Sequence, residues 1–176
     1  MTKDYDVLER SIDLLNLMDH LKIKKAHIVG VSYGAHVAEH FIISHPQRVY
    51  KLVLSNAVDK VDNYLRELGR SWEMAAATGN PELLFKISFP AIYSRTFYNS
   101  NESWINERIA NASKATDKKW LEGFIRLSRS GNYFDLSEEI KKITVPTLLI
   151  CADEDIVTPK SEMKKMAEKI PHSSLV

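Results

Sequence analysis

The sequence predicts an α/β fold, in which a parallel sheet with flanking helices is interrupted midway by a helical insertion. Three observations carry that expectation. Over the first third of the chain, short apolar β-branched runs alternate with helical patterns, as strand–helix–strand units do. The alternation lapses over residues 58–134, where aromatics recur at helical spacing and no convincing strand run occurs. It resumes near the end, with one more buried strand run and one more amphipathic helix. The chain accordingly divides into a first core part (1–57), a helical lid (58–134) and a second core part (135–176).

In chain order, residues 4–21 predict an amphipathic helix, with Leu8, Ile12, Leu15 and Leu21 at helical spacing and Asp4 and Asp6 favouring its N-terminal end. Lys22, Lys24 and Lys25 mark its exit. Ala26–Val29 is a short strand leading into Gly30-Val31-Ser32-Tyr33-Gly34, and a helical pattern follows at once, through Ala35, Val37, Ala38, Phe41 and Ile42. That helix is expected to end near His45-Pro46, because the residue before a proline resists the α region. Val49–Ser55 is the next parallel strand. In the insertion, helices are expected around 60–78, 81–88, 102–112 and 117–129, punctuated by Pro81 and Pro90. Leu136–Ile143 predicts a short helix or turn, 145–152 a buried strand and 160–169 a helix. Residues 171–176 would approach a further strand.

The stretch with most chemistry in it is the serine turn. A serine at the apex of a sharp strand-to-helix turn has little room around it, so its neighbours must be small, and Gly30 and Gly34 flank it. Such a turn lifts the Ser32 hydroxyl above the sheet edge, at a helix N-terminus. There the backbone N–H of Tyr33 can stabilise a developing oxyanion. Active residues of open α/β sheets sit at the carboxyl ends of strands. Asp155, in Asp153-Glu154-Asp155, follows the 145–152 run in the same way that Ser32 follows the first strand.

The segments HIVGVSYGAHVAEHFIISHPQRVYKLVLSNA (27–57) and ITVPTLLICADEDIVTPKSEMKKMAEKIP (143–171) together resemble the α/β-hydrolase fold family, in its small lid-bearing, carboxylesterase-like branch. The insertion resembles that branch only in length and helical character. The resemblance implies Ser32 as nucleophile, Gly30 and Gly34 as the glycines of its elbow, Tyr33 N–H as one oxyanion donor and Asp155 as the acid that orients a histidine. Asp153, Glu154 and Asp59 are rival acids. The reaction implied is hydrolysis of a small, apolar ester through an acyl-enzyme. A serine at the elbow argues against the relatives that use an aspartate there. Esterase, lactonase, thioesterase, C–C hydrolase and acyltransferase activities all remain open.

The family's catalytic histidine lies after one more strand, and its second oxyanion donor lies in a loop among its first strands. Relative to the family, this chain is therefore expected to lack the first strands, the last strand and the histidine, and to be inactive alone. His172 falls too early to serve. His36 lies one turn down the helix that Ser32 opens, and His20, His27, His40 and His45 have no matching role. Two alternatives stand beside the hydrolase reading: a non-catalytic small-molecule-binding relative, and a fragment without function of its own.

Bulk properties limit the field further. The chain of 176 residues fits one domain, and hydrophobic and charged fractions of 44% and 27% are ordinary for a soluble protein. A net charge of +1 gives no reason to expect a nucleic-acid or membrane partner. One cysteine, Cys151, precludes an intrachain disulfide, and the N-terminus lacks signal-peptide order, so a cytoplasmic location is expected. The expected partner is a small-molecule ester or related acyl substrate; unfilled sheet edges leave room for self-association. No metal or organic cofactor is implied.

Overall fold

A computed structural model describes residues 6–176. Helix α1 (Val7–His20) leads into strand β1 (Ala26–Val31), helix α2 (Tyr33–Ser44) and strand β2 (Val49–Ser55). Five helices follow: α3 (Asn63–Ala77), α4 (Pro81–Ile92), α5 (Arg95–Ser100), α6 (Glu102–Ala115) and α7 (Lys118–Gly131). The chain then returns through strand β3 (Thr147–Ile150), helix α8 (Lys160–Lys169) and strand β4 (Ser173–Leu175). The four strands form one sheet in the order β1-β2-β3-β4, every neighbouring pair parallel. This is the alternating, parallel α/β architecture that the sequence predicts.

Register explains which residues form the core. Gly30 pairs with Leu54 and Leu54 with Leu149, so these side positions share one face. Against that face pack Ala35, Ala38, Phe41 and Ile42 of α2, Met163 and Met166 of α8 and Met18 of α1, all at most 4% exposed. Each fully buried Leu, Ile, Met or Phe there contributes roughly 1.5–3 kcal/mol. The opposite face, carrying Val29 (65% exposed), Val31 (58%) and Ile150 (36%), is open among the described residues.

Local signals set the helix starts. Asp6, Asp62, Asn80, Ser94 and Asp117 each accept a hydrogen bond from a backbone N–H in the first turn of the helix that follows. Helix α8 spans the residues expected of it, and α2 ends at Ser44, just before the His45-Pro46 boundary.

Several expectations are corrected. In α1 the buried positions are Val7, Ser11 and Met18, whereas Leu8, Ile12 and Leu21 are 43–55% exposed, so the buried face is rotated from the predicted one. Residues 4 and 5 of that expectation lie outside the described residues. Pro90 does not end α4. It sits in the last turn, where losing one N–H costs a single intrahelical bond, and Tyr93 N still bonds Phe89 O. Helix α5 lies between predicted helices and was not expected. Residues 171–176, expected to approach a further strand, include the three-residue β4, with Leu175 beside Leu149 of β3.

The two glycines of the serine turn also differ. A Cβ on Gly30 would lie 2.6 Å from Gly34 O and 2.7 Å from Ala35 Cα, both unyielding backbone atoms. At Gly34 a Cβ would meet nothing within 4 Å among the described residues, so crowding demands glycine at one position only. Gly30→Ala is expected to destabilise the fold by about 1–3 kcal/mol in denaturant unfolding. Gly34→Ala should fall within about 0.5 kcal/mol of the unaltered protein.

Candidate active site

Strand β1 ends by handing its last residues to a turn under strain. Ser32 adopts φ 51°, ψ −121°, a conformation that non-glycine residues rarely hold and that costs on the order of 1–3 kcal/mol. Two backbone bonds pin it there: Ser32 N donates to Ser55 O (3.0 Å) and Ser32 O accepts from Ala35 N (2.8 Å). Its side chain makes no capping bond to α2, so the exposed hydroxyl is not spent on the helix. Tyr33 N–H is the first of the helix's N-terminal amides, which have no intrahelical acceptor.

The carboxyl end of β2 adds Asn56, also at positive φ (50°), and the loop after β3 adds Asp155. Four donors reach the Asp155 carboxylate. Oδ1 accepts from Val157 N and Thr158 N (2.8 Å each), and Oδ2 from Thr158 Oγ1 and Asn56 Nδ2 (2.7 Å each). Burial pushes this carboxyl up, but those bonds together outweigh it and hold it below the usual aspartate value. Asn56 is itself oriented, because Ser55 Oγ donates to its Oδ1 at 2.7 Å.

Two adjoining cavities open at this edge, sharing Ser32, Asn56, Trp72, Val157 and Thr158. One, of about 220 Å³, runs past Tyr33 and His36 toward Phe124, Ser128 and Asn132 of the helical layer. The other, of about 360 Å³, is bounded by Val31, Ile92 and Asp155. The structure therefore gathers Ser32, Tyr33 and Asp155 at one place, with Gly30 directly beneath and Gly34 exposed on α2.

Rival residues lie elsewhere. Asp59 is 7% exposed, paired with Lys169 Nζ at 2.6 Å, and lines neither cavity. Asp153 pairs with Lys160, and Glu154 accepts from Thr96 N at 3.3 Å. His172 is exposed, ahead of β4. No histidine ring among the described residues hydrogen-bonds Ser32 or Asp155. His36 lines the smaller cavity with its Nδ1 buried and without a partner, and stacks on Phe134 at 4.0 Å. Burial lowers its pKa to about 4 from 6.5, so it is neutral near neutral pH.

Sequence reasoning missed Asn56, Thr158 and the Tyr33 side chain. Asn56 had a usable signal, a polar residue ending the second strand. The Tyr33 hydroxyl, 2.7 Å from Ser130 Oγ, had none, since 97 residues separate the partners. Among the described residues there is no cluster of three or more His, Cys, Asp or Glu placed to hold a metal ion, and no helix is long and apolar enough to cross a membrane.

This geometry is that of a family. The family model for the alpha/beta hydrolase fold matches residues 1–176, and the chain belongs to that family. The structure superposes with TM-score 0.96 on MGS-M2, an alpha/beta hydrolase enzyme from a Medee basin deep-sea metagenome library, at 33% identity, covering 100% of this chain and 64% of that one. It is also similar to 3-oxoadipate enol-lactonase 2 of Acinetobacter baylyi (23% identical over 171 residues, 97% of this chain and 62% of the relative). Proline iminopeptidase of Lactobacillus acidophilus is 24% identical over 172 residues, 84% of this chain and 56% of the relative. The chain thus spans 56–64% of the length of these three proteins.

The buried imidazole makes a pH prediction. As pH falls from 6.5 to 4, the unfolded chain takes up a proton at His36 that the folded chain refuses, so folded stability is lost across that window. The loss is of order 3 kcal/mol. It should appear as a change of that size between pH 7 and pH 4 in the stability difference separating the protein from His36→Phe, measured by denaturant unfolding.

Proposed function

We propose that the chain carries the nucleophile and the acid of a serine hydrolase acting on a small ester or related acyl substrate. The observation that supports this best is the strained Ser32 turn sharing a cavity with the hydrogen-bonded Asp155 at the carboxyl edge of the sheet. In this reading Ser32 Oγ attacks the substrate carbonyl and Tyr33 N–H donates to the oxyanion that forms. The alcohol departs, and water then hydrolyses the acyl-enzyme. Asp155 orients the histidine that takes the serine proton and passes it to the leaving group. Helices α3–α7 serve as a lid over the site. The apolar wall of Val31, Ile92 and Val157 in the larger cavity suits an apolar alcohol portion.

A second reading has its own support. A carboxylate offers about four lone-pair positions, and four protein donors already reach Asp155. An imidazole N–H would have to displace Asn56 or share with it. A small-molecule-binding relative that keeps the fold without turnover needs no such exchange.

Labelling with a fluorophosphonate probe separates the two. Serine-hydrolase activation predicts labelling that is lost in Ser32→Ala and reduced at least tenfold in Asp155→Asn, both variants folded by circular dichroism. A folded protein left unlabelled at Ser32 would favour the binding reading or a fragment without function of its own.

A further inference from the structure

We propose that the smaller cavity is an acyl-group subsite selecting a short, uncharged acyl chain that carries a hydroxyl or comparable hydrogen-bonding group. The inference rests on the hydrolase reading above and specifies its substrate.

The position of the two cavities assigns their halves of the ester. A leaving alcohol must receive its proton from the base that Asp155 orients, so it departs on the Asp155 side, into the larger cavity. The acyl group stays bonded to Ser32 and occupies the other, which passes Tyr33 and has no Asp155 in its wall. About 220 Å³ is the share of roughly seven liquid waters, which limits the acyl group to a short one.

Two residues that line that cavity, one of them shared with the larger cavity, carry unfinished hydrogen bonding. Trp72 Nε1 is buried with no partner, and so is His36 Nδ1. A buried polar group left unsatisfied is costly, and such sites in folded proteins mark where water or a ligand completes the pairing. Facing helix α7 and its C-terminal cap, Asn132, contribute two acceptors, prepared by one carboxylate. Glu73, 8% exposed and paired with Arg129 Nε at 3.0 Å, accepts from Ser128 Oγ at 3.1 Å and from Asn132 Nδ2 at 3.4 Å. Those bonds commit the hydroxyl hydrogen of Ser128 and one of the two amide hydrogens of Asn132 to Glu73. The Ser128 lone pairs and the Asn132 carbonyl are left as acceptors on the cavity wall. A donor at Trp72 together with acceptors on α7 matches a group that both accepts and donates, as a hydroxyl does. Among the described residues no Lys, Arg, Asp or Glu lines this cavity, and His36 is neutral there, so none of them compensates a carboxylate on the acyl chain.

The test compares two isosteric amides, 3-hydroxybutanamide and 3-methylbutanamide, as protectants of Ser32 against fluorophosphonate labelling. The hydroxyl amide is expected to give half-protection at a concentration at least tenfold lower on the unaltered protein. Trp72→Phe, which removes only the N–H and ring area, should bring the two within about twofold. Equal protection by the pair, or a preference that survives Trp72→Phe, overturns the subsite and leaves the nucleophile reading intact. If Ser32 does not label at all, no base activates it in this chain, and the subsite is read through binding alone. The same pair is then compared by the rise in Tm at equal concentration. A larger rise with the hydroxyl amide that Trp72→Phe abolishes supports a polar-ligand subsite, and equal rises overturn it.

Discussion

The close approach of α2 to β1 at Gly30 is the constraint from which the rest follows. Only a hydrogen at that Cα lets Gly34 O, Ala35 Cα and Ala38 Cβ come within 2.6–2.8 Å of where a side chain would begin. That approach forces the chain to reverse within one residue, and Ser32 absorbs the reversal at a backbone conformation few residues adopt. The sheet supplies the opposing support, because the Ser32 N to Ser55 O bond continues the β1–β2 ladder into the turn. The strained Ser32 turn is thus held by a parallel ladder on one side and a tightly packed helix on the other.

The helical layer is fastened to that turn at several points. Tyr33 OH meets Ser130 Oγ at 2.7 Å, the Tyr33 ring lies against Gly131, and His36 stacks on Phe134. Helices α3 and α7 are joined by Glu73, whose carboxylate gathers Ser128, Arg129 and Asn132. The residue that offers its N–H beside Ser32 therefore also bears, through its own side chain, on the end of α7. Packing of the helices and geometry of the turn are mechanically one system.

Charge is used sparingly inside. Burial, with Asp59 nearby, pushes the Glu39 carboxyl well above its usual value, and both its oxygens are buried without a partner, so at this site the protonated form is favoured. Asp59 is compensated by Lys169, and Asp155 by four hydrogen bonds. The contrast sets Asp155 apart: its donors come from a loop and a neighbouring strand end, and it stands in a cavity wall.

The sequence by itself determined the alternation of strand and helix and the position of the serine turn, because each is encoded within a few consecutive residues. Period and β-branching mark strands, proline and capping residues mark helix ends, and Gly-Val-Ser-Tyr-Gly marks the turn. Only the tertiary structure decided which face of α1 is buried. Leu8 and Val7 are equally apolar, and the choice between them belongs to the α2 and 58–61 surfaces they meet. It also decided that Gly30 and not Gly34 is sterically required, since the crowding atoms come from the next helix. The Tyr33 hydroxyl joins the site for the same reason: its partner Ser130 lies 97 residues away, and contacts at that separation leave no local pattern to read.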